Sequence, residues 1–104
     1  MTKELGKISK VYFGYGGYQD AMFGLTLIFE SHGGSCGHFI GYWPLQEDHD
    51  PKKSHEQAFC AMEEIASTMK DAKVTEANQL VGKPVELTFN GLKLEAWRIL
   101  TEVL

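Results

Sequence analysis

The chain has 104 residues, 43% of them hydrophobic, and a formal charge of −4 from 14 acidic and 10 basic side chains. That length predicts a single domain, 1–104, with an ordinary core, and the acidic balance offers no electrostatic footprint for double-stranded nucleic acid. The opening "MTKELGKISK" lacks the apolar run of a secretory signal, and no segment approaches the roughly 18 apolar residues of a membrane span, so a cytoplasmic protein with no membrane partner is expected.

From Ile8 to Phe13, "ISKVYF" is rich in β-branched and aromatic residues, and "MFGLTLIFE" places Phe23, Leu25, Leu27 and Phe29 on one face at period two. Both read as strands. The "GYGGYQD" between them carries the glycines and aspartate that a reversal requires, which predicts an antiparallel hairpin. "SHGGSCG", residues 31–37, reads as a breaker before "HFIGYW", a third short strand that stops at Pro44. The polar "PLQEDHDPKK" that follows has no periodicity and reads as a surface connection.

Ser54 and Gln57 have the spacing of a capping box and open a predicted helix that runs to about Lys73. Phe59, Met62, Ile65, Ala66 and Met69 recur at helical intervals as the expected buried stripe, with Glu56, Glu63, Glu64 and Lys70 opposite. A short turn, "TEANQL", precedes "KPVELTFNGLKLEAWRIL", where Asn90-Gly91 predicts a type I′ hairpin with Val85, Leu87 and Phe89 on one face. The alternation blurs at Trp97 to Leu100, which suggests a bulge or burial on both faces. The order β-β-β-α-β-β predicts an α+β fold: an antiparallel sheet of about five strands with one main helix on one face.

Candidate chemistry begins in the first hairpin loop. A dinucleotide fingerprint needs a third glycine three residues after Gly16 and a following helix; Gln19 stands there and a strand follows, and no Walker lysine is present. Tyrosines instead offer rigid amphipathic faces, and glycines let backbone N–H groups approach a ligand, so Tyr15, Tyr18, Gln19 and Asp20 are candidate binding residues. Tyr42 would extend that surface if the third strand ends beside the loop, whereas Trp43 is expected in the core.

His32, Cys36 and His38, with His49 and His55 as further candidates, lack the paired spacing of zinc sites, and no metal or cofactor is expected. Both Cys36 and Cys60 are expected as free thiols, Cys60 packed within the helix. Cys36 as a nucleophile would need a lowered pKa and an oxyanion hole, neither visible in sequence. Glu63 and Glu64 point apart on a helix, and Asp48 and Asp50 read as solvated loop charges. No acid, base and electrostatic stabiliser assemble, so the expectation is a protein that is not an enzyme.

"FGYGGYQDAMFGLTL", "LVGKPVELTF" and the terminal "WRILTEVL" together resemble a family of small phage- and prophage-encoded proteins of about this length. Where those proteins carry a tryptophan-containing glycine-rich segment and an Asp-Phe pair before Gly-Tyr-Trp, this chain has "GGSCGHFIGYW", so no role passes to Cys36 or His38. The resemblance implies a phage accessory protein that binds a host or phage macromolecule, in one version inhibiting a defence system, in another sequestering a small nucleotide-like signal. Two alternatives stand beside it. A single-stranded nucleic-acid accessory would stack bases on Tyr15, Tyr18 and Tyr42 and needs Lys7, Lys10, Lys83, Lys93 and Arg98 to converge. A homo-oligomeric structural protein would pair its C-terminal strand across a two-fold axis.

Overall fold

A computed structural model describes residues 1–44 and 51–104, with Tyr18 described by its backbone alone. The first strand, β1 (Thr2–Gly16), is far longer than the "ISKVYF" core of the sequence reading, because both of its ends find partners. Its first half pairs with β4 (Pro84–Asn90), from Thr2↔Phe89 to Lys7↔Pro84. From Gly6 onward it pairs antiparallel with β2 (Met22–Ser31), as far as Gly16↔Met22.

The exchange of partners is made at a bulge. Register shifts between Ile8 and Lys10, so Ile8 and Val11, three positions apart, both turn inward opposite Phe29 and Leu27. The Gly82 amide donates to the Ile8 carbonyl at 2.7 Å and the Ile8 amide donates to the Lys83 carbonyl at 3.0 Å, fixing the bend from the other side. The third strand, β3 (Gly34–Tyr42), starts four residues earlier than "HFIGYW". Gly34 to Gly37 therefore belong to a strand and not to a breaker, because they continue the β2 ladder through Phe29↔Cys36 to Ser31↔Gly34.

The last strand, β5 (Lys93–Ile99), completes a five-stranded antiparallel sheet in the order β3-β2-β1-β4-β5. Asn90 pairs with Lys93, leaving Gly91 and Leu92 as the reversal with positive φ at Gly91 alone. That is the requirement of a type II′ turn, not the I′ turn expected at Asn90-Gly91. A register shift at Thr88/Phe89 skips Glu95, which brings Leu94, Trp97 and Ile99 to one face and explains the lost alternation.

The helix α1 (Pro51–Ala72) begins a turn before Ser54, with proline at its first position, where a missing N–H costs nothing. Ser54 is buried, and its hydroxyl donates to the Trp43 carbonyl at 3.0 Å, while the Trp43 amide donates to Gln57 Oε1 at 3.4 Å. The two residues that suggested a capping box thus clamp the end of β3 to the helix. The buried stripe of α1 is Ser54, Ala61, Ile65, Thr68 and Ala72; Phe59, Met62 and Ala66, expected there, are exposed, and Met69 is half-buried. Cys60, also expected to pack, is exposed.

One hydrophobic cluster joins the layers: Ile8, Leu25, Leu27, Phe29, Ile40, Val85, Leu87 and Ile99 from the sheet, with Ile65 from α1 and Leu80 from the 3₁₀ turn Ala77–Leu80. The sheet curls far enough for Trp97 of β5 to reach Phe29 of β2, ring centroids 5.0 Å apart, and His38 of β3 at 5.7 Å. Among the described residues no helix is long and apolar enough to cross a membrane.

Candidate functional site

Beyond the helix, the paired ends of β1 and β2 form an arm that carries aromatic residues on its inner face. The register sets Tyr15 opposite Phe23 and Phe23 opposite Tyr42, so one row crosses three strands. Phe23 is the hub: Phe13 at 5.3 Å, Tyr15 at 5.2 Å and Tyr42 at 6.3 Å all meet it edge-on. Such edge-to-face contacts place the positive ring edge against the negative ring face, which fixes the cluster without a surrounding core.

This cluster faces α1. Phe13, Phe23 and Tyr42 from the sheet and Ala58, Ala61 and Met62 from the helix line a concavity of about 240 Å³. The side chains on its rim stay open to water: Phe13 is 58%, Tyr15 70% and Met62 60% exposed. At the ~150–250 Å² such a side chain presents, these exposures amount to roughly 400 Å² of mostly apolar surface, within the ~300–600 Å² of the largest patch on ordinary monomers. Phe59, with Glu56 three residues before it and Glu63 four after, stands on the solvent side of α1, away from the concavity.

Of the residues expected from sequence, Tyr15 and Tyr42 come together on this face through Phe23. Gln19 and Asp20 sit exposed at the loop tip, both with φ of 54°. That left-handed backbone, with Gly17 at 68°, turns the chain within the 3₁₀ segment Tyr18–Asp20. The Tyr18 side chain lies outside the described residues. Trp43 is half-buried at the end of β3, outside the core cluster it was expected to join; Trp97 packs against that cluster instead.

Sequence reasoning missed Phe13, Phe23 and Met62 as surface residues. Phe23 shares parity with the buried Leu25, Leu27 and Phe29, yet the helix covers only part of that face. The signal available was the spacing itself, since Phe13 and Tyr15 share parity and the hairpin register places them beside Phe23.

The histidine and cysteine candidates separate. His32 is exposed in the turn before β3, while His38 lies under the helix with Nε2 3.9 Å from Glu64 Oε1. Burial, then the nearby Glu4 carboxylate, push the Cys36 thiol above its ordinary pKa, which keeps the proton on sulfur and opposes nucleophilic chemistry. Among the described residues no three His, Cys, Asp or Glu side chains gather as a metal site; His49, Asp48 and Asp50 lie outside the described residues.

No protein family, curated protein or solved structure matches the chain. The functional reading therefore rests on the surface itself.

The basic residues are distributed elsewhere. Lys3, Lys7 and Lys10 alternate onto the outer face of β1 with Leu5 and Tyr12, opposite the aromatic cluster. Arg98 is engaged by two carboxylates, donating from Nη1 and Nη2 to Glu102 at 3.0 Å each and from Nε to Glu86 at 3.3 Å.

Proposed function

We propose that the chain is a non-enzymatic binding protein whose aromatic arm seats apolar side chains of a partner protein, with basic residues of that partner drawn by the net negative charge of the chain. The observation that carries this reading is the exposed Phe13–Tyr15–Met62 rim around a concavity that α1 leaves open. Aromatic residues and methionine are the types enriched where proteins meet, because they give much contact area for little lost freedom. Asp20, exposed at the tip of the hairpin loop, and the net charge of −4 favour a partner rich in lysine or arginine around its apolar anchor. The resemblance to phage-encoded proteins makes a host or phage macromolecule the partner, and occupation of a basic functional groove, for example on a defence effector, the mode of action.

A nucleotide-like ligand fits the concavity less well. Its lining, Phe13, Phe23, Tyr42, Ala58, Ala61 and Met62 among them, holds no cationic side chain to receive phosphate. Single-stranded nucleic acid is disfavoured by the same separation, since the lysines of β1 face away from the rings on which bases would stack.

Selection of a displayed random-peptide library against the full chain tests the proposal. Enriched peptides are expected to carry an aromatic or large aliphatic anchor flanked by Lys or Arg, and to lose at least tenfold in affinity for Phe13→Ser/Tyr15→Ser while binding the outer-face control Tyr12→Ser normally. Peptides that bind the double variant as well as the parent chain would overturn it.

A further inference from the structure

At the end of the sheet away from the aromatic arm, two reversals stand on either side of the first half of β1: Ser31–Gly34 between β2 and β3, and Asn90–Lys93 between β4 and β5. Glu4 lies opposite Leu87 and so projects from the inner face. Between the reversals is a cleft of about 300 Å³, with Glu4, Ser31, Gly33, Cys36, Phe89 and Leu92 in its walls. Among the described residues no part of α1 and no Lys, Arg or His side chain lines it. Glu4 is half-buried there, and among the described residues its carboxylate has one donor, the Ser31 hydroxyl at 3.1 Å, and no ion pair. An ionised carboxylate offers about four acceptor sites, so most of its capacity is open to the cleft. Gly33 keeps it open, since a Cβ there would stand 3.2 Å and 3.5 Å from the two carboxylate oxygens. The neighbouring Cys36 thiol holds its proton and brings no second charge.

We propose that this cleft is a binding site for an organic cation, an ammonium or guanidinium group on a short apolar stem, with the charge on the Glu4 carboxylate and the stem against Phe89 and Leu92. A charge-assisted hydrogen bond to a carboxylate is roughly twice as strong as a neutral one, and a cation beside an aromatic ring gains further, so both walls favour the same ligand. Phe89 is half-buried and Leu92 fully exposed, apolar surface at the mouth that the fold leaves uncovered and that a hydrated metal ion would not use. An anion is disfavoured, because the lining holds a carboxylate and no basic side chain to offset it. Glu4 and Phe13 are roughly 30 Å apart along β1 at the rise of a strand, so this site stands independently of the aromatic arm.

Titration of the full ¹⁵N-labelled chain with phenethylamine at neutral pH, followed by amide NMR shifts, tests this. The expected result is saturable movement of the Gly33, Gly34 and Ser35 amides, with affinity about tenfold weaker for the neutral isostere phenethyl alcohol and for Glu4→Gln, which keeps an acceptor for Ser31. Phe13→Ser/Tyr15→Ser is expected to bind phenethylamine as the parent chain does, which separates this site from the aromatic arm. N-acetyl-lysine methylamide presents the same ammonium as a protein side chain would. Binding of either probe supports the site, and the tighter of the two assigns its source as a free amine or a protein side chain. The proposal is overturned if neither probe moves these amides saturably up to tens of millimolar, or if phenethyl alcohol binds as well as phenethylamine. It is equally overturned if Glu4→Gln binds as well as the parent chain, or if folded Phe13→Ser/Tyr15→Ser loses the binding. Should Glu4→Gln fail to fold, Leu92→Lys sets a competing cation at the mouth from a fully exposed turn position and is expected to weaken binding; unchanged affinity there overturns the proposal as well.

Discussion

Gly24 sits between Gly14 and Gly41 in a glycine row across three strands, at the base of the aromatic arm. A Cβ at Gly24 would run into the Ile40 carbonyl and the Gly41 Cα, backbone atoms that cannot swing aside. Glycine in a strand is usually a weakness, and here it is what lets the strands approach closely enough to hold Phe23 between Tyr15 and Tyr42. Gly24→Ala should cost about 1–3 kcal/mol by overpacking, measured by urea unfolding, whereas Gly91→Ala strains only a turn. At the C-terminal end, the Arg98 fork, and then its own backbone N–H, hold the Glu102 carboxyl at about 2, well below the ordinary 4.5. A carboxyl whose folded pKa lies below its unfolded value stabilises the fold above about 4.5, and that contribution is lost as pH falls toward 2. Both side chains are exposed, so the effect on stability is small and salt-sensitive. An NMR titration of the Glu102 carboxyl carbon should give a midpoint near 2 in the parent chain, moving up toward 4.5 in Arg98→Gln.

For the helix, apolar character alone does not mark the buried residues. Ile65 packs together with the small Ala61, Thr68 and Ala72, which let α1 lie close to the sheet, while Phe59 and Met62 stand in water. Ile65→Ala should therefore cost about 2–5 kcal/mol in urea unfolding, and Met62→Ser well under that because its side chain is already open to water. Periodicity in sequence located the helix, the first hairpin and the last strand pair, because 3.6- and 2-residue repeats survive whatever their environment. It did not show which helical stripe is covered, since that depends on where β3 ends and how Ser54 and Gln57 tie to Trp43. Nor did it extend β1 to Thr2, as a strand of Lys, Glu, Leu and Gly acquires its conformation from the β4 ladder and not from its own propensity. In the candidate site, Tyr15 and Tyr42 were legible as aromatic residues near a loop. Phe13, Phe23 and Met62 were not, because hydrophobic residues at regular spacing read as core until the extent of the covering helix is known.

Across the whole molecule, the curled sheet places the core and the aromatic arm at different stations of one continuous face. Phe29 and Trp97 close the core where β5 folds back, and the arm extends past the end of that cover. The chain thus keeps a patch of roughly 400 Å² of mostly apolar surface that its own fold does not need, which is the physical content of the binding proposal. The most direct check is the urea unfolding free energy of Phe13→Ser/Tyr15→Ser. The account predicts a cooperative transition weakened by about 1–3 kcal/mol, the loss of two edge-to-face contacts with Phe23. A loss of about 6–10 kcal/mol, the cost of truncating two core aromatics, would contradict it by showing that the arm is part of the core.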